Sequence, residues 1–507
     1  MAWWAALAAV SAILLAPLLI ADVPPVLDYP NHLARMMLLA AGPDDPVLGR
    51  IFTPRWAIIP NLAGDVIGVA LLRVLPVHVA GRCLLAGILL LNLAGVIALH
   101  RALFGRRAFW PLLSGLVAYN SSFLLGFLNW QIGCGLAMLC AAGWLRWRDS
   151  RPLTTIVCAM AASAVLFFCH LMGLAFFLML IGGAELSAAR NVRQGLRRGA
   201  VLLAIMAGPI VLASLSAVHT EPLAAHWPRP DVKLVNAASP FINYVFSLDM
   251  ITAVLVFGGI GLGVATGRLI LAPKATAAAV LPPIAYFVLP FDLMSASFLD
   301  MRFAVMFGFL LFAAVDRRPD DPVYRVLATM CALLFVTRMT VVAEVWTQHR
   351  DDLADLRAVI AKVPPGAIVT FTNVPQEEAP AYWDAGPRAR RLSNGLRADY
   401  HLPALLLIER EAFWPMLFAN PAQQPIQLRP EYARLAREAH DIPPHADLVT
   451  DPDRSLPALR DFDFVLMLEA GADPNLAGFM PRCLNLMTQT DFAALFRIKH
   501  DNPGCAS

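Results

Sequence analysis

Residues Asn61–Leu75 read NLAGDVIGVALLRVL. Whether this segment crosses the membrane or lies on its surface decides on which side of the membrane each later loop lies. The segment is apolar enough to suggest a transmembrane helix, but it carries Asn61, Asp65 and Arg73 and is bounded by prolines. A charged side chain at the centre of a bilayer costs about 3 kcal/mol or more. A helix that lies along the membrane surface keeps such side chains in water. These two placements of Asn61–Leu75 predict opposite sidedness for all later loops.

Composition predicts that the segment belongs to a membrane protein. Of the 507 residues, 58% are hydrophobic and only 15% are charged, where a soluble protein carries about 25% charge. The first 345 residues hold 24 Lys+Arg and 16 Asp+Glu, whereas the shorter remainder holds 16 and 21. We therefore predict a membrane domain over 1–345 and a soluble domain over 346–507. A net charge of +3 without a basic tract gives no reason to expect a nucleic-acid partner.

Apolar runs long enough to cross the bilayer predict about 11 transmembrane helices. They are Trp3–Ala21, Arg82–His100, Phe109–Leu125, Leu128–Leu145, Leu153–Cys169, Leu171–Leu186, Ala200–Ser216, Ile251–Thr266, Ala275–Leu289, Phe303–Val315 and Val326–Val345. The first run lacks a basic start, so we interpret it as a retained anchor; the alternative is a cleaved signal peptide.

The positive-inside rule chooses between the two placements of Asn61–Leu75. If that segment is interfacial, the loops on one side of the membrane hold 15 Lys+Arg and the opposite short loops hold none. We therefore predict a multi-pass protein of the bacterial inner membrane with a cytoplasmic N-terminus. The long loop 22–81 and the domain 346–507 are then periplasmic.

The predicted soluble domain has mixed α/β character. DDLADLRAVIAKV has helical spacing, and GAIVTFTNV and DFVLMLEAG have the composition of short buried strands. In an oxidising periplasm Cys483 and Cys505 are expected to form a disulfide, the alternative being two separate thiols. No Cys or His spacing indicates a metal site.

The stretch VLDYPNHLARMMLLA, residues 26–40, holds the first candidate site. A helix that starts near Pro30 places Asp28, His32 and Arg35 at i, i+4 and i+7 on one face. The alternative is an ordinary solvated face of an interfacial helix.

Four other residues are predicted at the same side of the membrane. His170 interrupts a long apolar run, Asp300 and Arg302 lie at the mouth of a span, and Arg338 lies inside the last span. The alternatives are a structural histidine, a local ion pair and a snorkelling arginine. Cations at one face above an apolar body suit a lipid-linked phosphate, and a nearby carboxylate suits deprotonation of a hydroxyl.

These features resemble the GT-C superfamily of integral membrane glycosyltransferases. The resemblance covers residues 1 to about 346 and rests on DYPNHLARM, RALFGRR, GFLNWQIGCGLAML, the His170 junction and SFLDMRF. It implies a GT-C-like α-helical membrane domain with a first span, a long outer loop and many further spans, often followed by an outer soluble domain.

The resemblance also implies an activity, which is inverting transfer of a sugar from a polyprenyl-phosphate-linked donor to a periplasmic glycan, lipid or protein. By that analogy Asp28 is the general base. The residues implied in binding the substrate or the donor phosphate are His32, Arg35, His170, Asp300, Arg302 and Arg338.

Two questions stay open in the sequence. Many GT-C members carry two adjacent acidic residues at the first site, some with a divalent metal. In this chain Tyr29 follows Asp28, and the nearby acidic pair is Asp44-Asp45. We therefore predict no metal ligands, although a divalent metal is left open. A non-catalytic assembly or sensor protein, or a transporter of lipid-linked substrates, remains the alternative function.

Overall fold

The computed structural model describes residues 1–216, 225–293, 296–317, 322–373, 388–440, 459–469 and 484–500. The α-helices are α1 Ala2–Leu15, α2 Tyr29–Ala41, α3 Ala63–Leu72, α4 Val77–Phe104, α5 Gly115–Ala118, α6 Ser121–Leu124, α7 Leu128–Trp147, α8 Pro152–Cys169, α9 Leu171–Ser187, α10 Val192–Ser214, α11 Pro230–Asn236, α12 Phe246–Ala265, α13 Thr276–Val288, α14 Leu299–Ala313, α15 Pro322–Ile360, α16 Leu405–Arg410 and α17 Pro430–His440. The strands are β1 Phe52–Pro54, β2 Ala225–His226, β3 Leu269–Leu271, β4 Asp292–Leu293, β5 Val315–Arg317, β6 Val369–Asn373, β7 Ile426–Leu428, β8 Phe464–Leu468, β9 Leu484–Gln489 and β10 Ala493–Ile498.

The predicted helical, multi-pass class is confirmed. Within the described residues, seven helical segments are long and apolar enough to cross a membrane. They are Ala2–Leu19, Val77–Phe104, Leu128–Trp147, Pro152–Cys169, Val192–Ser214, Phe246–Ala265 and Pro322–Ile360. Three further predicted spans form helices of 13 to 17 residues, namely α9, α13 and α14. The predicted number of eleven stays a prediction.

One predicted span is not a continuous helix. The run Phe109–Leu125 is divided into a 3-10 helix at Trp110–Ser114 and the two short helices α5 and α6. Asn120 separates α5 from α6 because its backbone is extended and its side chain accepts a hydrogen bond from Phe123 N. Average hydrophobicity does not show such a break.

The segment Asn61–Leu75 forms α3, a helix of only ten residues. At 1.5 Å per residue it is about 15 Å long, half the thickness of the hydrocarbon core. Arg73 is exposed, whereas the expectation of a solvated side chain is wrong for Asp65. Asp65 is fully buried and forms a salt bridge with Arg35 of α2.

Close backbone approach fixes α7 at the centre of the membrane domain. A Cβ on Gly133 of α7 would lie 3.2 Å from Gly173 of α9, and one on Gly135 would lie 2.6 Å from the side chain of Leu91 in α4. Small residues let membrane helices approach this closely. At the start of α7, Asn129 Nδ2 donates to the carbonyl of Asn61 at 2.7 Å, which holds this end of the helix beside the first loop.

The C-terminal part contains a four-stranded sheet in the order β6-β8-β10-β9, with β6 and β8 parallel and the other pairs antiparallel. The predicted strands in GAIVTFTNV and DFVLMLEAG are β6 and β8. The predicted helix DDLADLRAVIAKV is the continuation of the last span in the 39-residue helix α15. Cys483 and Cys505 lie outside the described residues, so their disulfide stays a prediction.

The C-terminal part also pairs with the first loop. Strand β1 of the loop and β7 form an antiparallel pair. Arg429 donates from Nε to the carbonyl of Gly49 at 2.8 Å. Residues near 400–430 are thus held against the loop that carries Asp28.

Candidate functional site

Five of the predicted site residues line one cavity of about 240 Å³. These residues are Asp28, His32, Arg35, His170 and Arg302. They come from α2, the junction between α8 and α9, and α14, so the cavity is assembled from distant parts of the chain.

Asp28 immediately precedes α2, and neighbouring backbone fixes its position. Leu27 N and Asp28 N donate to the carbonyls of Leu124 and Leu125 at 2.8 and 3.2 Å. Gly126 has φ +84°, and a Cβ there would lie 2.7 Å from Asp28 N. Gly126 is therefore a positioning residue that the sequence alone did not reveal.

Two opposing effects set the pKa of the Asp28 carboxyl. Burial raises the pKa of its carboxyl to about 7, although the nearby guanidinium groups of Arg35 and Arg302 lower it. A carboxyl that titrates near neutrality is well matched to general-base chemistry.

Arg35 is held by two neighbours and keeps one nitrogen unpaired. Its Nε and Nη2 donate to the two oxygens of Asp65 at 2.8 and 3.1 Å. Nη2 also lies 2.9 Å from His32 Nδ1. The buried Nη1 has no hydrogen-bond partner among the described residues. Arg35 is thus oriented and still able to bind an anion.

His32 is the group that orients Arg35 from within α2. Burial and the charge of Arg35 place the pKa of His32 well below its ordinary value, so its ring is neutral and accepts from the guanidinium. The other predicted role of His32, in contacting substrate, stays a prediction.

Arg302 brings a second cation to the cavity. Its guanidinium carbon lies 4.8 Å from the ring centre of Phe127, an arrangement that favours a cation. The side chain is 8% exposed, and Nε has no hydrogen-bond partner within the described parts of the chain.

His170 and Trp130 add neutral donors. His170 Nδ1 accepts a hydrogen bond from Met172 N at 3.0 Å, so the proton of the neutral ring is on Nε2. Trp130 lines the same cavity, and its buried Nε1 lacks a partner in the described structure. Two cations and two neutral donors therefore surround the space beside Asp28.

Asp300 and Arg338 do not line this cavity. Asp300 Oδ2 lies 3.3 Å from Lys233 Nζ of α11. Arg338 donates to Asp249 at 2.5 Å and also to the carbonyl of Phe241. Both charges are compensated by residues on other elements, so the structure gives no support to their predicted role in phosphate binding.

Three residues of the C-terminal part complete the cavity wall, namely Phe418, Gln423 and Gln424. His401, also from the C-terminal part, does not line the cavity but places Nε2 3.4 Å from Asp28 Oδ1. No local motif marks these residues, because they reach the cavity through contacts with a loop about 370 positions earlier.

The whole chain is similar to solved structures of ArnT. ArnT from Cupriavidus metallidurans in the apo state matches with a TM-score of 0.54 and 12% identity, over 98% of this chain and 97% of that chain. ArnT from the same organism bound to undecaprenyl phosphate matches with a TM-score of 0.53 and 10% identity, over 98% of both chains. The chain has the same fold as these two structures, the GT-C fold.

The predicted GT-C resemblance is thereby confirmed as a statement about the fold. The match extends over nearly the full length, so it includes the C-terminal part as well as the membrane helices. No protein-family model and no curated protein sequence matches this chain.

A divalent cation, found in some GT-C enzymes, does not fit the residues of this cavity. Among the residues that the structure describes, Asp28 is the one carboxylate that lines it, and nearby Asp65 is occupied by Arg35. The described residues contain no group of three His, Cys, Asp or Glu arranged to hold a metal. We assign no step to a metal.

Proposed function

We propose that this protein is an inverting glycosyltransferase that moves a sugar from a polyprenyl-phosphate-linked donor to an acceptor hydroxyl. One observation carries the proposal: a carboxyl with a pKa of about 7 shares a small cavity with two incompletely paired guanidinium groups. The GT-C fold, and an ArnT structure that holds undecaprenyl phosphate, support this class of donor.

In the proposed reaction the Asp28 carboxylate accepts the proton of the acceptor hydroxyl. The hydroxyl oxygen forms a bond to the anomeric carbon while the bond from that carbon to the donor phosphate oxygen breaks. The bonding electrons stay on the phosphate, whose negative charge increases. A single displacement of this kind inverts the anomeric centre.

The cations are suited to the phosphate side of this reaction. Arg35 Nη1 and Arg302 Nε are buried and unpaired within the described residues, so they can bind an oxyanion without breaking an existing contact. Donors that are already oriented in a water-poor site stabilise developing charge strongly. Neutral His170 and Trp130 would supply further hydrogen bonds.

The proposed setting is the outer face of a bacterial inner membrane, with a periplasmic glycan, lipid or protein as acceptor. The clustering of unpaired donors beside Asp28 favours a reaction over transport, for which paired repeats and midplane sites are typical. The single cavity carboxylate keeps a non-catalytic assembly or sensor protein as the competing function.

The Asp28→Asn variant tests the choice between transferase and scaffold. We expect cells that carry only this variant to accumulate the polyprenyl-phosphate-linked sugar, while the purified protein in nanodiscs still binds undecaprenyl phosphate. Asp44→Asn, an exposed carboxylate outside the cavity, is the matched control and should behave as wild type. Normal sugar transfer by Asp28→Asn would exclude the proposed base.

A further inference from the structure

His401 approaches the proposed base from the C-terminal part of the chain. Its Nε2 lies 3.4 Å from Asp28 Oδ1, and its side chain is buried. What this contact does depends on which ring nitrogen carries the proton. The neighbouring hydrogen bonds answer that question.

Asn31, in the first turn of α2, has an amide whose orientation is fixed by two backbone groups. Phe418 N donates to Asn31 Oδ1 at 2.8 Å, and Asn31 Nδ2 donates to the carbonyl of Met416 at 2.9 Å. The reverse orientation of the amide would place donor against donor and acceptor against acceptor. The NH₂ group of Asn31 therefore has a definite direction.

The same NH₂ group lies 3.2 Å from His401 Nδ1. Because the amide donates, Nδ1 of the neutral ring must accept, and the ring proton is then on Nε2. Burial lowers the pKa of His401 to about 4, so the ring is neutral at physiological pH. The protonated nitrogen, Nε2, is thus the ring atom that lies 3.4 Å from Asp28 Oδ1.

We propose that His401 is a positioning residue that donates from Nε2 to Asp28 Oδ1 and leaves the other carboxylate oxygen for the acceptor hydroxyl. This inference rests on the proposed function in assigning Asp28 as the base. In structural terms, Asp28 gains this hydrogen-bond donor because the C-terminal part docks on α2 through Asn31.

The contact is expected to change the pKa of Asp28. The titratable and charged groups around the Asp28 carboxyl come from four places: α2 supplies Arg35 and neutral His32, α14 supplies Arg302, the junction of α8 and α9 supplies His170, and the C-terminal part supplies His401. A hydrogen bond donated to a carboxylate stabilises the charged form. Loss of the His401 donor should therefore raise the pKa of Asp28.

Infrared difference spectroscopy of the full-length protein in nanodiscs measures this pKa without any substrate. Asp28→Asn identifies the carboxyl band that belongs to Asp28. His401→Leu removes the donor, whereas His401→Gln retains an N–H group near the position of Nε2. Trp414→Phe is the matched control, because Trp414 packs on the His401 ring with a centroid distance of 5.8 Å and does not line the cavity.

We expect the Asp28 midpoint to rise by about one pH unit in His401→Leu, a tenfold change in proton affinity. His401→Gln should restore most of the wild-type value, and Trp414→Phe should leave it unchanged. An unchanged midpoint in folded His401→Leu, or an equal shift in Trp414→Phe, would overturn the inference. If the His401 shift appears while Asp28→Asn still transfers sugar, the proposed function fails and the His401 contact stands.

Discussion

Arg302 and Arg338 are both buried arginines, but their surroundings give them different roles. Arg338 pairs with Asp249, whose other oxygen accepts from Ser393 Oγ at 2.6 Å. Arg302 keeps an unpaired Nε beside the cavity. One guanidinium thus holds elements together, and the other is available to a ligand.

Replacing each arginine by methionine should separate these roles. Arg302→Met is expected to weaken undecaprenyl phosphate binding at least tenfold, the effect of losing a charge-assisted contact of about 1.5–3 kcal/mol. Arg338→Met should instead lower stability by about 3–5 kcal/mol, because the buried Asp249 carboxylate would lose its cationic partner. Binding isotherms and thermal unfolding in nanodiscs measure the two effects. Equal binding losses in both variants would contradict the assignment.

The pKa of Asp28 predicts the pH dependence of transfer. Burial raises this pKa from 3.8 to about 7, and the base acts only when it is ionised. The value of kcat/KM should therefore reach its plateau at about pH 8, be half-maximal near pH 7, and approach a tenfold decrease for each pH unit below about pH 6. An acid limb near pH 4, the ordinary range of an aspartate, would contradict the raised pKa of Asp28.

Five of the seven predicted site residues line the cavity, and two do not. Helical spacing grouped Asp28 with His32 and Arg35, and sidedness added His170 and Arg302. Asp300 and Arg338 were grouped with them by the same sidedness argument. Their actual partners, Lys233 and Asp249, lie far along the chain and could not be identified from local spacing.

The turn that joins α6 to α7 places the backbone of Asp28. Gly126 has a positive φ and packs against Asp28, while Gly105, at the end of α4, has φ +72° with open space around it. Both glycines occupy the left-handed region, but a side chain on Gly126 alone would push against the proposed base.

Gly126→Ala and Gly105→Ala form a matched pair of variants. The positive φ should cost each about 1–2 kcal/mol of stability. Gly126→Ala should in addition abolish most sugar transfer, because a Cβ 2.7 Å from Asp28 N must displace it. Thermal unfolding and accumulation of the lipid-linked sugar measure these effects. Similar transfer by both variants would show that Asp28 tolerates displacement.

The helices were predictable from apolar runs, and their interruptions were not. Ten predicted runs coincide with helices, because hydrophobicity and length are local properties. The division of Phe109–Leu125 depends on Asn120 capping α6, and the burial of Asp65 in α3 depends on Arg35 of α2. Both depend on contacts between particular side chains, which the average hydrophobicity of a run does not reveal.

The complete molecule joins its C-terminal part to the membrane domain through α15 and through the first loop. The sequence indicated an α/β C-terminal part without a recognisable catalytic motif. It did not indicate that Phe418 and the two glutamines line the cavity or that His401 approaches Asp28, because docking at Asn31 is a long-range contact without a sequence signature.

The predicted sidedness is testable with single cysteines in an otherwise cysteine-free chain. A cysteine at exposed Arg437 in α17 should react with a membrane-impermeant maleimide added to spheroplasts. A cysteine at exposed Arg193 in α10 should react only after the membrane is opened. The reverse pattern would place the cavity side of the protein in the cytosol and remove the basis for periplasmic transfer.

The proposed phosphate site can be observed in a cryo-EM structure of the protein in nanodiscs with undecaprenyl phosphate. We expect a phosphate within hydrogen-bonding distance of Arg35 Nη1 and Arg302 Nε, beside Asp28. A phosphate bound elsewhere, with the cavity closed to it, would show that these arginines do not form the donor site.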